Sequence, residues 1–453
     1  MCAESFPVAA DGLRRLAVAR TRLAGGRAMM APSRNKSSAP IQPHPPLAAD
    51  TERRAADRSH GPPAGRTHLE HNGHLGIFGI DAARGWGALH FSVKRSYRLQ
   101  PGALMTPTRW QQALFVEDRL FDDAPPHLAA VQYESDLGPP KALTDVVVEA
   151  RCHPPSGEAT HCSVAVKVGG WPAVVLMVIG DRIATVHPDE RVQFSAATPF
   201  HSRPIRFEWA YGGLDSTGTI PLPCPSNPVG TGFLMRTPTP SPRWRYAVLP
   251  SVEPALNLLT PETFIADSDP LRARAPAGFG WVSPLWAPRL LTRGMPADGL
   301  GFWSLLFPER PEVGGVSRER LGSFHQGAVP GLQLPLEGHE RIHLTHLHPT
   351  MRELVVQLPI ERPNLRVRAG DDPPASVALS LATVHLQIDR GAATLVWRGT
   401  WSRPGADPDR PEAIWMKVDG RRLPPPEWGT DRPFNPLAPP RVEVGASAPR
   451  SVQ

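Results

Sequence analysis

Polar and apolar residues alternate from Leu89 to Leu99. Leu89, Phe91, Val93, Tyr97 and Leu99 stand at one parity, with His90, Ser92, Lys94, Ser96 and Arg98 between them. A period of two predicts a β-strand with one buried face. Shorter apolar runs of strand length follow, separated by turn residues. Val146 to Val148 and Val164 to Val168 bracket the loop HPPSGEATH and predict a hairpin with a long turn, and Val174 to Val186 predicts a strand pair interrupted by Gly180, Asp181 and Arg182.

Regular strands return near the C-terminal end. Arg352 to Ile360, Asn364 to Arg368 and Val377 to Ile388 alternate or run apolar. Ala393 to Trp397 is expected to pair with Val384 to Ile388 across a turn at Asp389 to Ala392, and Ala413 to Val418 to add one more strand. Many short strands with turn punctuation need a second layer to cover each apolar face. The expected fold is therefore mainly β, of packed antiparallel sheets in a β-sandwich-like arrangement, although a barrel satisfies the same pattern.

Between Leu234 and Val329 the periodicity fades into Pro, Trp and Gly, which predicts long ordered loops anchored by Phe279, Trp281, Trp286 and Trp303. Three regions result: a disordered N-terminal leader over 1–72, one large β-rich domain over 73–402, and a Pro-rich C-terminal extension over 403–453. The outer two are too poor in apolar residues to offset the entropy of ordering.

Composition sharpens this picture. The 453 residues include 55 Pro, which argues against long helices, because an interior proline removes a backbone donor and clashes with the preceding turn. The net charge is +6, but residues 1–70 hold 11 Lys and Arg against 6 Asp and Glu, leaving the body almost neutral. No clustered basic face of the kind phosphate recognition needs is present, so nucleic acid is not an expected partner. The longest apolar stretch, Trp171 to Ile179, is far short of a bilayer span, so no membrane insertion is expected. Four cysteines, Cys2, Cys152, Cys162 and Cys224, are too few for a disulfide scaffold and point to a cytoplasmic setting.

Candidate chemistry is sparse. His339-Glu340-Arg341-Ile342-His343 matches H-E-x-x-H, a zinc-peptidase spacing that works on a helix, where both imidazoles share one face. Here Pro335 and Pro349 and the Ile342/Leu344 parity favour a strand, in which four residues span about 13 Å, too far for one zinc ion. His346 and His348, with His343 on a bend, are the better metal candidates, weighed against a polar-face role. Cys152-His153 and His161-Cys162 lie symmetrically about their loop. They allow a zinc site or a disulfide, against the plainer reading of two buried strand residues. Neither a nucleophile elbow nor a phosphate-binding loop occurs, and no cofactor is expected.

The succession YESDLGPPKALTDVVV, VGDR, PFHSRPIRFEWAYGG, NPVGTGF, PAGFGWVSPLWAPR, GHERIHLTHLHP and TVHLQIDRGAATLVWRG resembles the domain-of-unknown-function 2169 family (DUF2169) over roughly residues 75–400. Order and mutual spacing carry the resemblance. Thr231 stands where the family often has Arg. The resemblance implies an accessory protein of the bacterial type VI secretion system, an adaptor or chaperone that brings a toxic effector to the VgrG spike or its PAAR-repeat tip.

The residues singled out as binding or structural are Ser135, Asp136, Lys141, Asp145, Asp181, Arg182, Gly212, Gly213, Asn227, Pro228, Gly230 and Gly232. With Glu208, the charged members are read as groups at strand ends that pair with one another and with loop amides, rather than as acid–base catalysts. Asp136 and Arg182 are expected in one ion-pair network beneath the NPVGTGF turn. The expected function is non-enzymatic effector binding. The alternative is a metal-dependent β-fold enzyme, a hydrolase or sugar-modifying jelly roll, using the His-rich strand 339–348.

Overall fold

The computed structural model describes residues 68–71, 75–80, 88–109, 111–121, 129–216, 222–235, 243–265, 274–291, 325–369, 373–402, 414–418 and 421–423. The leader's first 67 residues, Trp303 and everything after 423 lie outside them.

The fold is mainly β. The largest sheet has the order His68–His71, Leu75–Ile80, Ala88–Arg98, Ala392–Ser402, Ser380–Gln387, Thr144–Glu149, Gln333–Leu334, with Thr106–Pro107 paired beside Ala88–Arg98. All its pairings are antiparallel except that of Thr144–Glu149 with Ser380–Gln387. The expected pairing of Val384 with the Ala393 region holds, Val384 lying opposite Leu395, and Gly391 makes the turn with a left-handed φ of 60°. The sheet also reaches back to His68, inside the stretch read from sequence as leader.

A second, wholly antiparallel sheet runs Val252–Pro254, Val174–Ile179, His161–Val168, Arg341–Thr345, Glu353–Gln357. Val164, Val166, Val168, Ile342 and Leu344 from this sheet share one core with Val146, Val148, Val384 and Leu386 from the first. Each such side chain contributes about 1.5–3 kcal/mol on burial, which is what holds two layers together. A three-stranded sheet, Val192–Phe194, Ile183–Val186, Arg245–Val248, has its own smaller core with Tyr211, Phe233, Leu249 and Phe264. Leu365–Ala369 sits in a four-stranded sheet that Ile414–Val418 joins.

Two pairing expectations and one burial expectation need correction. Thr144–Glu149 and His161–Val168 are in different sheets, so the two valine runs are not a hairpin. Val174–Ile179 and Ile183–Val186 are likewise in different sheets. A long or charged connection lets the chain change layer, and apolar content cannot report that. From His90 to Tyr97 the strand Ala88–Arg98 is covered on both faces, since His90, Ser92, Lys94 and Ser96 are buried along with Phe91, Val93 and Tyr97. The segment after Thr108 lies over the polar face, with Gln111 Oε1 accepting the Ser96 amide at 2.7 Å and the Phe115 amide donating to Asp136.

No helix among the described residues is long and apolar enough to cross a membrane. Phe279, Trp281 and Trp286 are buried anchors of the loop-rich middle, as expected.

Candidate functional site

Two features stand out: a buried framework of charges and an exposed apolar face beside a glycine-rich turn. The framework begins at Asp145, whose position in Thr144–Glu149 leaves its carboxylate 0% exposed. It accepts hydrogen bonds from Gln326 Nε2 at 3.1 Å and from the amides of Gly327 and Ala328 at 2.7 and 3.1 Å, and it pairs with Lys141 Nζ at 2.5 Å. Lys141 also reaches Glu134 at 3.0 Å, and Glu134 pairs with Arg289 at 2.6 Å.

Burial alone would raise Glu134, but Lys141, Arg289 and Arg398 outweigh it and bring its carboxyl down to about 2. Asp136 is bound to Lys94 Nζ at 2.8 Å. Burial lowers the Lys94 ammonium against the opposing pull of Asp136. Arg398 joins the two halves by donating to the carbonyls of Ser135 and Asp136 at 2.8 and 3.0 Å. Ser135 donates from its amide to Asp118 and from its hydroxyl to the Val116 carbonyl.

Ser135, Asp136, Lys141 and Asp145 thus come together, whereas Arg182 does not join them. Arg182 pairs with Glu253 at 2.5 Å, and Asp181 with Arg203 at 2.7 Å. The expected Asp136–Arg182 network is replaced by two separate ones, because Asp136 faces the sheet strand Ala88–Arg98 and Arg182 starts the three-stranded sheet. Sequence reasoning missed Lys94, Glu134, Arg289, Gln326 and Arg398. Lys94 reads as solvent-facing from its parity, and the others lie in segments whose fold partners are distant in the chain.

The turn is built on Asn227. Its fully buried side chain donates to the carbonyls of Phe207 and Tyr211 at 2.8 and 3.0 Å, and its own carbonyl accepts the Gly213 amide. Gly212 and Gly232 pair in a short parallel ladder, with Pro228 and Gly230 completing the loop. Gly212 has φ 151°, and a Cβ there would fall 2.1 Å from the Asn227 carbonyl oxygen, so no larger residue fits.

Beside this turn Arg206, Glu208, Trp209, Thr231, Val248, Leu249 and Ser251 line a depression of about 390 Å³. Glu208 is paired with Arg206. The outward face of the three-stranded sheet continues the apolar surface. Ile183 lies opposite Val248 and Thr185 opposite Tyr246, with Tyr246 64%, Val248 58% and Ile183 51% exposed. Trp209 and Trp244 are exposed too, and Trp244 packs on the His187 ring at 4.1 Å. This surface went unnoticed in sequence; the visible signal was Trp244, Tyr246 and Val248 at one strand parity.

The histidines are distributed rather than convergent. Arg341–Thr345 is a strand, as its parity predicts, and His339 precedes it with a left-handed φ of 77°. His343 contacts Glu353 at 2.9 Å, His346 Nδ1 donates to the Ser163 carbonyl at 2.8 Å, and His348 Nδ1 accepts from the Thr350 amide. Among the described residues no group of three or more His, Cys, Asp or Glu is placed to hold a metal ion.

Comparison with known proteins finds one family model, "Uncharacterized protein conserved in bacteria (DUF2169)", matching residues 84–398, well over half the chain. No curated protein and no solved structure matches.

Proposed function

The chain belongs to the DUF2169 family, and from that premise we propose that it is a non-enzymatic adaptor, which binds a type VI secretion effector and helps to load it on the VgrG/PAAR spike in the bacterial cytoplasm. The observation that carries the protein-binding half is the apolar face of Ile183, Tyr246 and Val248 beside the Trp209 depression. Contiguous exposed aromatic and aliphatic side chains on a rigid scaffold are the ordinary mark of a protein contact, since their burial is the main favourable term in association. Aromatic residues make good anchors because they cover large areas with few rotatable bonds. The secretion-system half rests on the order of motifs from YESD to the late strand pair.

Function follows from rigidity in this reading. The Asn227 turn, the Arg182 contacts to the Pro250 carbonyl and Glu253, and the Arg203 contact to Ser251 fix the depression in place, so a partner meets a preformed surface and little ordering entropy opposes binding. The test is co-expression with effector and spike proteins encoded beside the gene, followed by size-exclusion chromatography. A complex is expected with the native chain and is lost in Trp209→Asp/Val248→Asp, whose melting temperature stays that of the native protein. Unchanged binding by that folded double variant would overturn the assignment of this face.

A further inference from the structure

One edge of the three-stranded sheet is open where its backbone could take a neighbour. Leu249 donates its amide to the Arg182 carbonyl, so by alternation Ala247 and Arg245 also bond inward to Ile183–Val186. Tyr246 and Val248 therefore direct their N–H and C=O groups to the outer edge. Thr231 caps one of these, its hydroxyl donating to the Val248 carbonyl at 3.1 Å. The Tyr246 amide, the Tyr246 carbonyl and the Val248 amide have no hydrogen-bond partner among the described residues.

The opposite edge of this sheet is covered. Val192 and Phe194 pack on the smaller core, and the Phe194 ring meets Phe264 edge to face at 5.6 Å. Exposed edges are normally blunted by proline or by a bulge. Trp244 to Leu249 contains no proline, and Arg245–Val248 keeps one register with Ile183–Val186 throughout. A donor and acceptor on one residue, and a donor two residues on, match the repeat of an extended polypeptide. The Val248 end of this edge abuts the depression, which Val248 and Thr231 both line.

We propose that an extended segment of the effector joins this sheet as a fourth strand along Tyr246–Val248, its alternate side chains apolar so that they continue the outward face of Ile183, Tyr246 and Val248. This rests on the adaptor reading above and names the form in which the cargo is held. Main-chain hydrogen bonds supply affinity that is indifferent to sequence, and the alternate side chains supply selectivity. Proline is excluded from the cargo positions that face Tyr246. Two copies of this chain joined through a three-residue edge, about 10 Å long, would bury far less than the roughly 800 Å² per partner of a stable interface. An effector segment is instead one part of a wider contact over the same face and the Trp209 depression. The chain's own C-terminal extension is rich in proline, which has no N–H to give.

The experiment is amide hydrogen exchange, read residue by residue by mass spectrometry, on the full chain alone and in complex with the effector encoded beside the gene. Alone, the Tyr246 and Val248 amides are expected to exchange quickly while those of Ala247 and Leu249 are protected. In the complex, Tyr246 and Val248 are expected to slow by about tenfold or more. Tyr246→Pro, which removes the edge amide, is expected to weaken the complex by about tenfold more than Tyr246→Thr, which keeps the amide and a strand-favouring side chain. Equal losses from the two variants, or exchange at Tyr246 and Val248 that is the same with and without effector, would overturn the fourth strand and leave the adaptor reading standing. Protection already present in the dilute chain alone, or growing there with concentration, would overturn it by giving the edge to the chain's own tail or to a second copy. Absence of any complex overturns both readings together. Exchange in the native chain decides the matter even where Tyr246→Pro fails to fold.

Discussion

Asp145 has no solvent to fall back on. Its carboxylate receives two backbone amides, the Gln326 side chain and the Lys141 ammonium. Removing it leaves the buried Lys141 with Glu134 as its one carboxylate and strands three donors, so Asp145→Ala is expected to cost about 3–5 kcal/mol in urea unfolding. Asp136→Ala, which strands Lys94, belongs in the same range; a loss under about 1 kcal/mol for either would mean the pairs contribute little. The sequence shows these residues as charges at strand ends but conceals their partners, because Lys94, Arg289 and Arg398 meet them only through tertiary packing. The expectation that Asp136 and Arg182 share one network rests on both standing at strand ends. A place at a strand end fixes a residue's neighbourhood along the chain and leaves its neighbourhood in space open.

At the level of the strand, two histidines contribute to the acid stability, His385 buried and His325 half-buried. His385, on Ser380–Gln387, is pushed down to about 3 by burial, with Lys94 and Arg390 adding to it, and His325 is pushed down to about 3 by burial and then Arg398. Each is neutral in the fold, while the unfolded chain takes up a proton near pH 6.5. Their contribution is fully present above about 6.5 and is lost as pH falls toward 3. Asp118 acts in the opposite sense: it is pushed up to about 6, mainly by loss of hydration and also by the Glu134 charge. Its surface remains open to solvent, which screens that effect. Glu134 adds a further loss only as pH falls from about 4.5 toward 2.

The melting temperature is therefore expected to be lower at pH 5 than at pH 7.5, and His385→Gln to shrink the difference; equal values at the two pH values would refute this. On the strand Arg341–Thr345, His343 faces Glu353, while His346 in the turn beyond it faces Ser163. Added zinc is thus expected to leave the melting temperature unchanged, and a rise of several degrees that His346→Ala abolishes would reverse that. Strand positions were legible because alternation and apolar runs report local geometry. Sheet membership was not, as Val146 and Val164 illustrate: both runs are apolar, and nothing in either says which layer receives it.

For the whole molecule, the sandwich-like class was legible from punctuation and strand length. The apolar face at Tyr246 and Val248 was not, because the same alternation describes a strand whose outward side is wet and one whose outward side awaits a partner. The Trp209→Asp/Val248→Asp pair tests that distinction. If the face serves a partner, these changes also make the isolated protein less prone to self-association, measurable by light scattering at high concentration.

In the largest sheet, Ala88–Arg98 lies against Ala392–Ser402 along its full length, and Thr144–Glu149 waits for Ser380–Gln387. On the ribosome, the early strands emerge on the order of tens of seconds before their neighbours exist. Until then their backbone groups face whatever the cell supplies. A chain released before Ala392 has no way to complete that layer, and its product is expected in the insoluble fraction, so the last strands to be translated decide whether the first ones fold.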